Sequence, residues 1–286
     1  THDGYRIPSL FRGNKRIKEE GYATDLFKRE ALRFIQENKD NPFFLYVPFN
    51  APHGASNLGD IGGAQAPDDY IKMYGDLPGT RRERYRAAVT GMDEDIGESI
   101  KKLQELNLEE NTLIIYTADQ GAHDNAPLRG GKGTFYEGGI RVPFVAKWPD
   151  HIPAGSISNE FCSALALFPT FLNIAQINLP ENIILDGYNM TGVLTDHASS
   201  MRKEHFWELR NKKAARLGKW KWVQEREERW VLNPDNKTGE LFDLSSDIKE
   251  KNNLAGERPD IVNKMKRKWS HWMEDMALAE PRGPFY

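Results

Sequence analysis

The 286-residue chain contains one cysteine, carries little net charge and has no long apolar run. A single cysteine excludes an internal disulfide framework and any zinc cluster built on cysteine ligands. The formal net charge of −3, spread over 28% charged residues, gives no support to electrostatic binding of nucleic acid. No apolar stretch approaches the roughly 18 residues that a membrane helix needs, so the sequence predicts no membrane span.

The first residues also lack an initiator Met and the basic and apolar regions of a targeting signal. Either the chain is a processed product, or it is the later part of a longer protein. The residues themselves therefore assign no localisation.

Predicted helices and strands alternate along residues 1–200. Amphipathic periodicity predicts helices at Thr24–Asn38, Arg82–Leu106 and Phe168–Ala175. Apolar runs after turn residues predict strands buried on both faces at Phe43–Val47 and Leu113–Thr117. Val142–Trp148 is a third strand candidate, whose proline indicates an edge strand or the start of a strand. This alternation predicts an α/β core with a largely parallel central sheet.

The composition changes near residue 200, beyond which six of the seven tryptophans lie. Short alternating runs predict an antiparallel sheet from strands at His205–Leu209, Lys219–Val223, Arg229–Leu232 and Glu240–Leu244. Pro259 opens a closing helix that we expect to end near Met276. We therefore expect residues 1–200 to belong to the α/β domain and residues 201–286 to form a small antiparallel subdomain with a C-terminal helix.

Three short loops follow the predicted strands, where ligands gather in open α/β sheets. The first carries His53, which can donate a proton or bind an anion. The second carries Asp119 and Gln120, whose oxygens make a plausible half-site for a hard cation. In the third, five glycines surround Lys132 and let the backbone approach a ligand beside a point charge.

Each loop taken alone also fits a purely structural role. A loop histidine is common at a surface, and an Asp–Gln pair can close a turn by hydrogen bonds. The glycine-rich stretch lacks the spacing of a nucleotide-binding phosphate loop, so it does not predict a nucleotide fold. The functional prediction becomes specific when the three loops are considered together.

In their order along the chain and in their amino-acid sequences, the loops resemble the later half of a type I, formylglycine-dependent sulfatase of the alkaline-phosphatase-like superfamily. The resemblance runs from about Gly21 to Met276. It is carried by the His53 turn and by four further motifs, at Gly21–Asp25, Met92–Gly97, Arg129–Pro143 and Leu167–Thr170. The fold that it implies is a partial alkaline-phosphatase-like sandwich followed by the small C-terminal sheet.

The resemblance also implies roles for single residues. Asp119 and Gln120 would bind a divalent cation, most commonly Ca²⁺, with Gln120 in place of the family's usual Asn. Lys132 would contact the sulfate and its bridging oxygen, and His53 would protonate the leaving alcohol. Their loop neighbours His123, Asp124 and Arg129 are candidate contacts for a sugar substrate.

The family's nucleophile is missing from this sequence. It is a formylglycine made from the Cys of Cys-x-Pro/Ala-x-Arg, and Cys162 lacks the arginine at the fourth position after it. The Asp-Asp pair that completes the metal site is missing too. We therefore expect a C-terminal portion that requires the N-terminal portion of the same enzyme, and a structural role for Cys162.

The expected reaction is hydrolysis of a sulfuric ester, with a sulfated carbohydrate as substrate. A phosphomonoesterase or phosphonate hydrolase of the same superfamily is an alternative, because phosphoryl and sulfuryl groups have similar shapes. A non-catalytic remnant that binds sulfated glycans is another. By the family resemblance, the complete protein would be exported to the periplasm, the extracellular space or the lysosome.

Overall fold

The structure is a computed structural model that describes residues 10–54, 63–122, 125–178, 183–225 and 239–279. The chain divides into two compact units, Thr1–Thr112 and Leu113–Tyr286. The boundary expected near residue 200 stays a prediction. Among the described helices, none has the length and apolarity to cross a membrane.

The first unit consists, in its described part, of a hairpin and three helices. These are β1 (Leu10–Arg12), β2 (Lys15–Ile17), α1 (Ala23–Glu37), α2 (Asp68–Lys72) and α3 (Arg81–Glu105). Both α1 and α2 pack against α3. Helix α3 begins at a capping box, in which the Thr80 N–H donates to Glu83 Oε2 at 2.6 Å. The two long helices predicted from periodicity are confirmed.

Phe43–Val47 forms no strand, so the prediction of a strand buried on both faces is wrong here. The segment is extended, and alternate side chains face solvent, with Phe44 69% and Tyr46 75% exposed. Phe43 contacts Phe34 of α1 edge-on, with 5.8 Å between ring centroids. An apolar run is buried on both faces only when strands or helices flank it on both sides. The described residues of this unit supply a helix on one side.

The second unit contains the remaining elements. They are β3 (Ile114–Thr117), α4 (Glu137–Ile140), β4 (Phe144–Lys147), α5 (Leu167–Ile174), α6 (Thr191–Thr195), β5 (Glu204–Leu209), β6 (Lys212–Leu217), β7 (Trp220–Gln224), β8 (Glu240–Asp243) and α7 (Pro259–Leu278). Short 3-10 turns cover Glu109–Asn111, at the end of the first unit, and Ala164–Ala166. The predictions for α5 and α7 are confirmed within two residues.

Strands β3 and β4 pair antiparallel, from Ile114 opposite Lys147 to Thr117 opposite Phe144. The predicted parallel pairing does not occur among the described strands. Parallel neighbours need a crossover, usually a helix, and the only described helix between β3 and β4 is the four-residue α4. The pair also leaves apolar surface open, since Val145 is 61% exposed.

Strands β5–β8 form one antiparallel sheet in chain order, here called the C-terminal sheet. Successive side chains alternate between its faces. One face packs against α7 through Ala215, Trp222, Leu241, Val262, Met265 and Trp269. The opposite face packs Ala214, Val223 and Phe242 against Phe135 and Tyr136.

The prediction of a small antiparallel sheet closed by a helix is thus confirmed. Strand β6 was not predicted. The strand predicted at Arg229–Leu232 lies outside the described residues.

Candidate active site

Asp119 and Gln120 lie in a bend directly after β3, and both side chains are exposed. Within the described part, their side chains contact each other, with 3.5 Å from Gln120 Nε2 to Asp119 Oδ2. Gly121 fixes the position of this bend, because its N–H donates to the Gly139 carbonyl at 3.0 Å. A Cβ atom at Gly121 would stand 1.9 Å from the Gly138 carbonyl oxygen, so a larger residue does not fit.

The donors of this bend suit a hard divalent cation, which prefers carboxylate and amide oxygens. Ca²⁺ takes ~6–8 oxygen ligands, and two residues supply only part of that number. Among the described residues, no group of three or more His, Cys, Asp or Glu side chains is arranged to hold a metal ion. A cation site at Asp119 and Gln120 therefore stays a prediction that needs further oxygen ligands from outside the described residues.

Backbone hydrogen bonds join the bend to residues 128–141, here called the glycine loop. Besides the bond from Gly121, the Lys132 N–H donates to the Ala122 carbonyl at 2.8 Å. The Asn125 side-chain amide donates to the same carbonyl at 2.8 Å and also to the Gly138 carbonyl. The structure thus brings together the backbones of two loops that the sequence singled out separately.

The Lys132 side chain is exposed and has no hydrogen-bond or ion-pair partner among the described residues. Its backbone is fixed, because the Thr134 hydroxyl closes a turn around it by donating to the Gly131 carbonyl at 2.9 Å. Gly133 has φ +88°, a conformation that glycine adopts without strain. An unpaired ammonium group on a fixed backbone is available to bind an anion.

Buried charges connect the glycine loop to the C-terminal sheet. Lys221 is fully buried, and its Nζ lies 2.7 Å from Glu137 Oε1 and 2.8 Å from Glu250 Oε1. Arg141 Nε lies 2.7 Å from Glu137 Oε2. Burial opposes ionisation of Glu137, but Lys221 and Arg141 outweigh it and lower its pKa. At Glu250, burial raises the pKa more than Lys221 lowers it.

Arg129, a candidate sugar contact, is held by the same sheet. Its Nη2 lies 3.0 Å from Glu240 Oε2, and its guanidinium stacks 4.0 Å from the centroid of the Tyr136 ring. Its Nη1 donates to the Glu250 carbonyl at 3.1 Å. These contacts anchor the glycine loop, and a sugar contact for Arg129 stays a prediction. The other two candidates, His123 and Asp124, lie outside the described residues.

His53 belongs to the first unit, where it is exposed on a turn closed by its N–H to the Asn50 carbonyl at 2.8 Å. Its Nδ1 lies 2.7 Å from the Gly54 carbonyl oxygen. A carbonyl only accepts, so Nδ1 carries the proton of this bond. The bond orients the ring and leaves Nε2 as the nitrogen that can exchange a proton with a ligand.

Cys162 is half-buried, and burial raises the pKa of its thiol. A thiol with a raised pKa is a poor nucleophile, since the thiolate is the reactive form. Its apolar neighbours Ala166, Met190 and Val193 form a small core cluster. These observations agree with a structural role for Cys162.

Sequence reasoning missed the buried charges at Glu137, Lys221 and Glu250. The sequence did contain an indication for Lys221. It lies two residues from the apolar Val223 in a predicted strand, so both side chains must point to the same face. Glu137 stood inside the recognised Arg129–Pro143 motif without a role. Nothing local distinguished Glu250 from a solvated carboxylate.

Two family models match the chain. The model described as Sulfatase matches residues 2–177, and the model described as N-sulphoglucosamine sulphohydrolase, C-terminal, matches residues 131–275. Together they cover both the predicted motifs and the C-terminal sheet.

Individual relatives agree with these models. The N-acetylgalactosamine-6-sulfatase of Mus musculus is 31% identical over 225 residues, which is 73% of this chain and 41% of the relative. The sulfatase YdeN of Escherichia coli (strain K12) is 27% identical over 91% of this chain and 52% of its own length. The chain thus spans about half the length of the curated relatives it matches.

A solved structure has a similar fold over nearly the whole chain. The crystal structure of Ps i-CgsB in complex with k-i-k-neocarrahexaose superposes with a TM-score of 0.78 at 31% identity. The match covers 91% of this chain and 56% of that one. The expected alkaline-phosphatase-like fold class is thereby confirmed.

Proposed function

Because this chain belongs to the sulfatase family, we propose that the complete protein hydrolyses a sulfate ester, R–O–SO₃⁻ + H₂O → R–OH + HSO₄⁻. The glycine loop carries this proposal, since it holds an exposed Lys132 with no ion-pair partner in the described part of the chain and is hydrogen-bonded to the Asp119–Gln120 bend. The chain spans about half of its relatives' length, so the remaining groups of the active site would come from an N-terminal portion.

Lys132 would bind the non-bridging and bridging oxygens of the sulfate ester. Among the described residues its ammonium group has no ion pair to break before it binds an anion. A positive charge at this position stabilises the negative charge that develops in a transition state. Asp119 and Gln120 would hold a divalent cation, most consistently Ca²⁺, which supplies further charge neutralisation when bound.

His53 would act on the leaving group. As the bond between sulfur and the bridging oxygen breaks, its electron pair stays on that oxygen, which becomes an alcohol by taking a proton. Nε2 is the nitrogen of His53 that can give this proton, because Nδ1–H donates to the Gly54 carbonyl. By the family resemblance, the nucleophile would be a formylglycine of the N-terminal portion.

A sulfated carbohydrate is the substrate class that we propose. Among the relatives, one is named for N-acetylgalactosamine, and Ps i-CgsB was crystallised with a neocarrahexaose. Arg129, His123 and Asp124 keep their place as candidate sugar contacts. Export to the periplasm, the extracellular space or the lysosome stays an expectation from the family resemblance.

The test compares matched aryl sulfate and aryl phosphate substrates with the full-length protein, measuring the released inorganic anion. We expect sulfate release, and we expect Lys132→Ala to lower it on the order of 10²-fold. Lys264→Ala removes an exposed lysine of α7 and is the matched control.

Near-normal sulfate release by Lys132→Ala would remove Lys132 from the mechanism. Preferential phosphate release would instead favour the phosphomonoesterase alternative. No release of either anion, with binding of sulfated oligosaccharide retained, would favour the non-catalytic remnant.

A further inference from the structure

Three buried charged residues lie on the face of the C-terminal sheet that carries Ala214, Val223 and Phe242. They are Lys212, Lys221 and Glu240, each two residues from one of these apolar residues in its own strand. Side chains two apart in a strand point to the same face. All three are buried, with exposed fractions of 8%, 0% and 8%.

Each of these charges contacts the glycine loop. The Lys212 ammonium group donates to the Gly133 carbonyl, and Glu240 pairs with Arg129. Lys221 pairs with Glu137, at the first residue of α4. The loop is therefore held from this face at three points along its length, and Lys132 lies between the first of them, Arg129, and the second, Gly133.

The Lys221 contact is the most buried of the three. Glu250 is also fully buried, and its Oε2 accepts the Glu137 N–H at 2.6 Å while its Oε1 lies 2.8 Å from Lys221 Nζ. The negative charges of the Glu137 and Glu250 carboxylates are balanced by the positive charges of Lys221 and Arg141. We call Glu137, Lys221 and Glu250 the buried triad.

Stability alone does not account for such a cluster. Taking charges out of water is costly, and well-packed apolar residues in the same place are often equally stabilising or more so. Buried charged pairs restrict the relative orientation of the segments that they join, because each hydrogen-bonded pair accepts only a narrow geometry. A loop held in this way has one defined path across the sheet.

We propose that the buried triad is a positioning device for Lys132, with Glu250 and Lys221 as positioning residues that set the path of the glycine loop across the active site. This inference rests on the proposed role of Lys132 in binding the sulfuryl group. Glu250 contacts Glu137 and Lys221, and it acts on the anion only through the loop.

Glu250→Gln is the informative variant in the full-length protein. It keeps an oxygen that accepts the Glu137 N–H and removes the charge that faces Lys221. We expect kcat/KM for an aryl sulfate to fall on the order of tenfold, because small displacements of a charged group are costly in catalysis. The control, Lys219→Met, removes the exposed Lys219–Asp243 pair of the same sheet and should leave kcat/KM unchanged.

A double-mutant cycle separates positioning from general support of the fold. If Glu250 acts through Lys132, Glu250→Gln should lower kcat/KM less than twofold when Lys132 is already alanine. An equal loss in both backgrounds, or no loss in either, would overturn the inference. Should Glu250→Gln fail to fold, Glu137→Gln is subject to the same criteria.

The two proposals fail in different ways. If Lys132→Ala alone leaves kcat/KM near normal, the proposed function of Lys132 is wrong. If Lys132→Ala lowers kcat/KM but Glu250→Gln has the same effect with and without Lys132, only the positioning role is wrong.

Discussion

The two loops proposed to share one reaction are supported in different ways. The glycine loop is buried from Phe135 to Gly139 and anchored by ion pairs to a sheet that lies in the same unit. The His53 turn follows an extended segment whose residues Phe44 and Tyr46 face solvent. Among the described residues, the glycine loop is thus supported by a sheet and by ion pairs, whereas residues 43–47 pack against a helix on one side.

Hydrogen exchange should show the largest difference between these regions. In β7, amides from Trp220 to Val223 lie between two strands, whereas the Phe43–Val47 segment lies outside the described helices and strands. In the 286-residue chain we expect exchange rates that differ on the order of 10³-fold, because protection follows the free energy of local opening.

The full-length protein provides the control for this comparison. If an N-terminal portion pairs with the 43–47 segment, its amides should become protected and the difference should narrow. Equal protection of both regions in the 286-residue chain would show that the segment already has its partners.

Acid should destabilise the folded chain through His205 in β5, a strand of the C-terminal sheet. Arg202 Nη1 lies 2.9 Å from His205 Nδ1, and because a guanidinium only donates, Nδ1 accepts and the ring is neutral. Burial and the Arg202 charge lower the pKa of His205 from 6.5 to about 4. Between these pH values the unfolded chain binds the proton and the folded chain does not.

Above pH 6.5, His205 is neutral in both states and does not reduce the free energy of unfolding. As the pH falls from 6.5 to 4, protonation of His205 in the unfolded chain lowers the free energy of unfolding by roughly 3 kcal/mol. Urea unfolding of the full-length protein at pH 7 and pH 4 measures this loss. His205→Asn should remove it, and His271→Asn, which changes an exposed histidine of α7, should not. An unchanged pH dependence in His205→Asn would show that other groups cause it.

The sequence predicted the elements whose signals are local. Helix α3 has an apolar period and a capping box, and β7 and β8 alternate apolar side chains, so their own residues define them. Strand β6 was not predicted, because Lys212, Lys213 and Arg216 interrupt the apolar pattern around its two buried alanines. Lys212 is buried where the glycine loop, 79 residues away in sequence, accepts its hydrogen bond.

The same distinction applies to the candidate site. Lys132, Asp119 and His53 became candidates because their loops have distinctive sequences and follow apolar runs, and their roles stay predictions. The buried triad joins residues 84 and 113 positions apart, and no local pattern reports such contacts. At Phe43–Val47 the local pattern was correct for an extended chain, but burial depends on neighbours that a single segment does not contain.

We propose that His53 and Lys132 serve one reaction in different roles. The most direct measurement compares turnover of an alkyl sulfate and an activated aryl sulfate by full-length His53→Gln and Lys132→Ala. An activated phenolate leaves without a proton, whereas an alkoxide needs one, so His53→Gln should lower alkyl sulfate turnover on the order of 10²-fold and aryl sulfate turnover little. Lys132→Ala should lower both on a similar scale. Equal losses on both substrates in His53→Gln would rule out the proton transfer by His53, and no loss in Lys132→Ala would rule out the anion-binding role of Lys132.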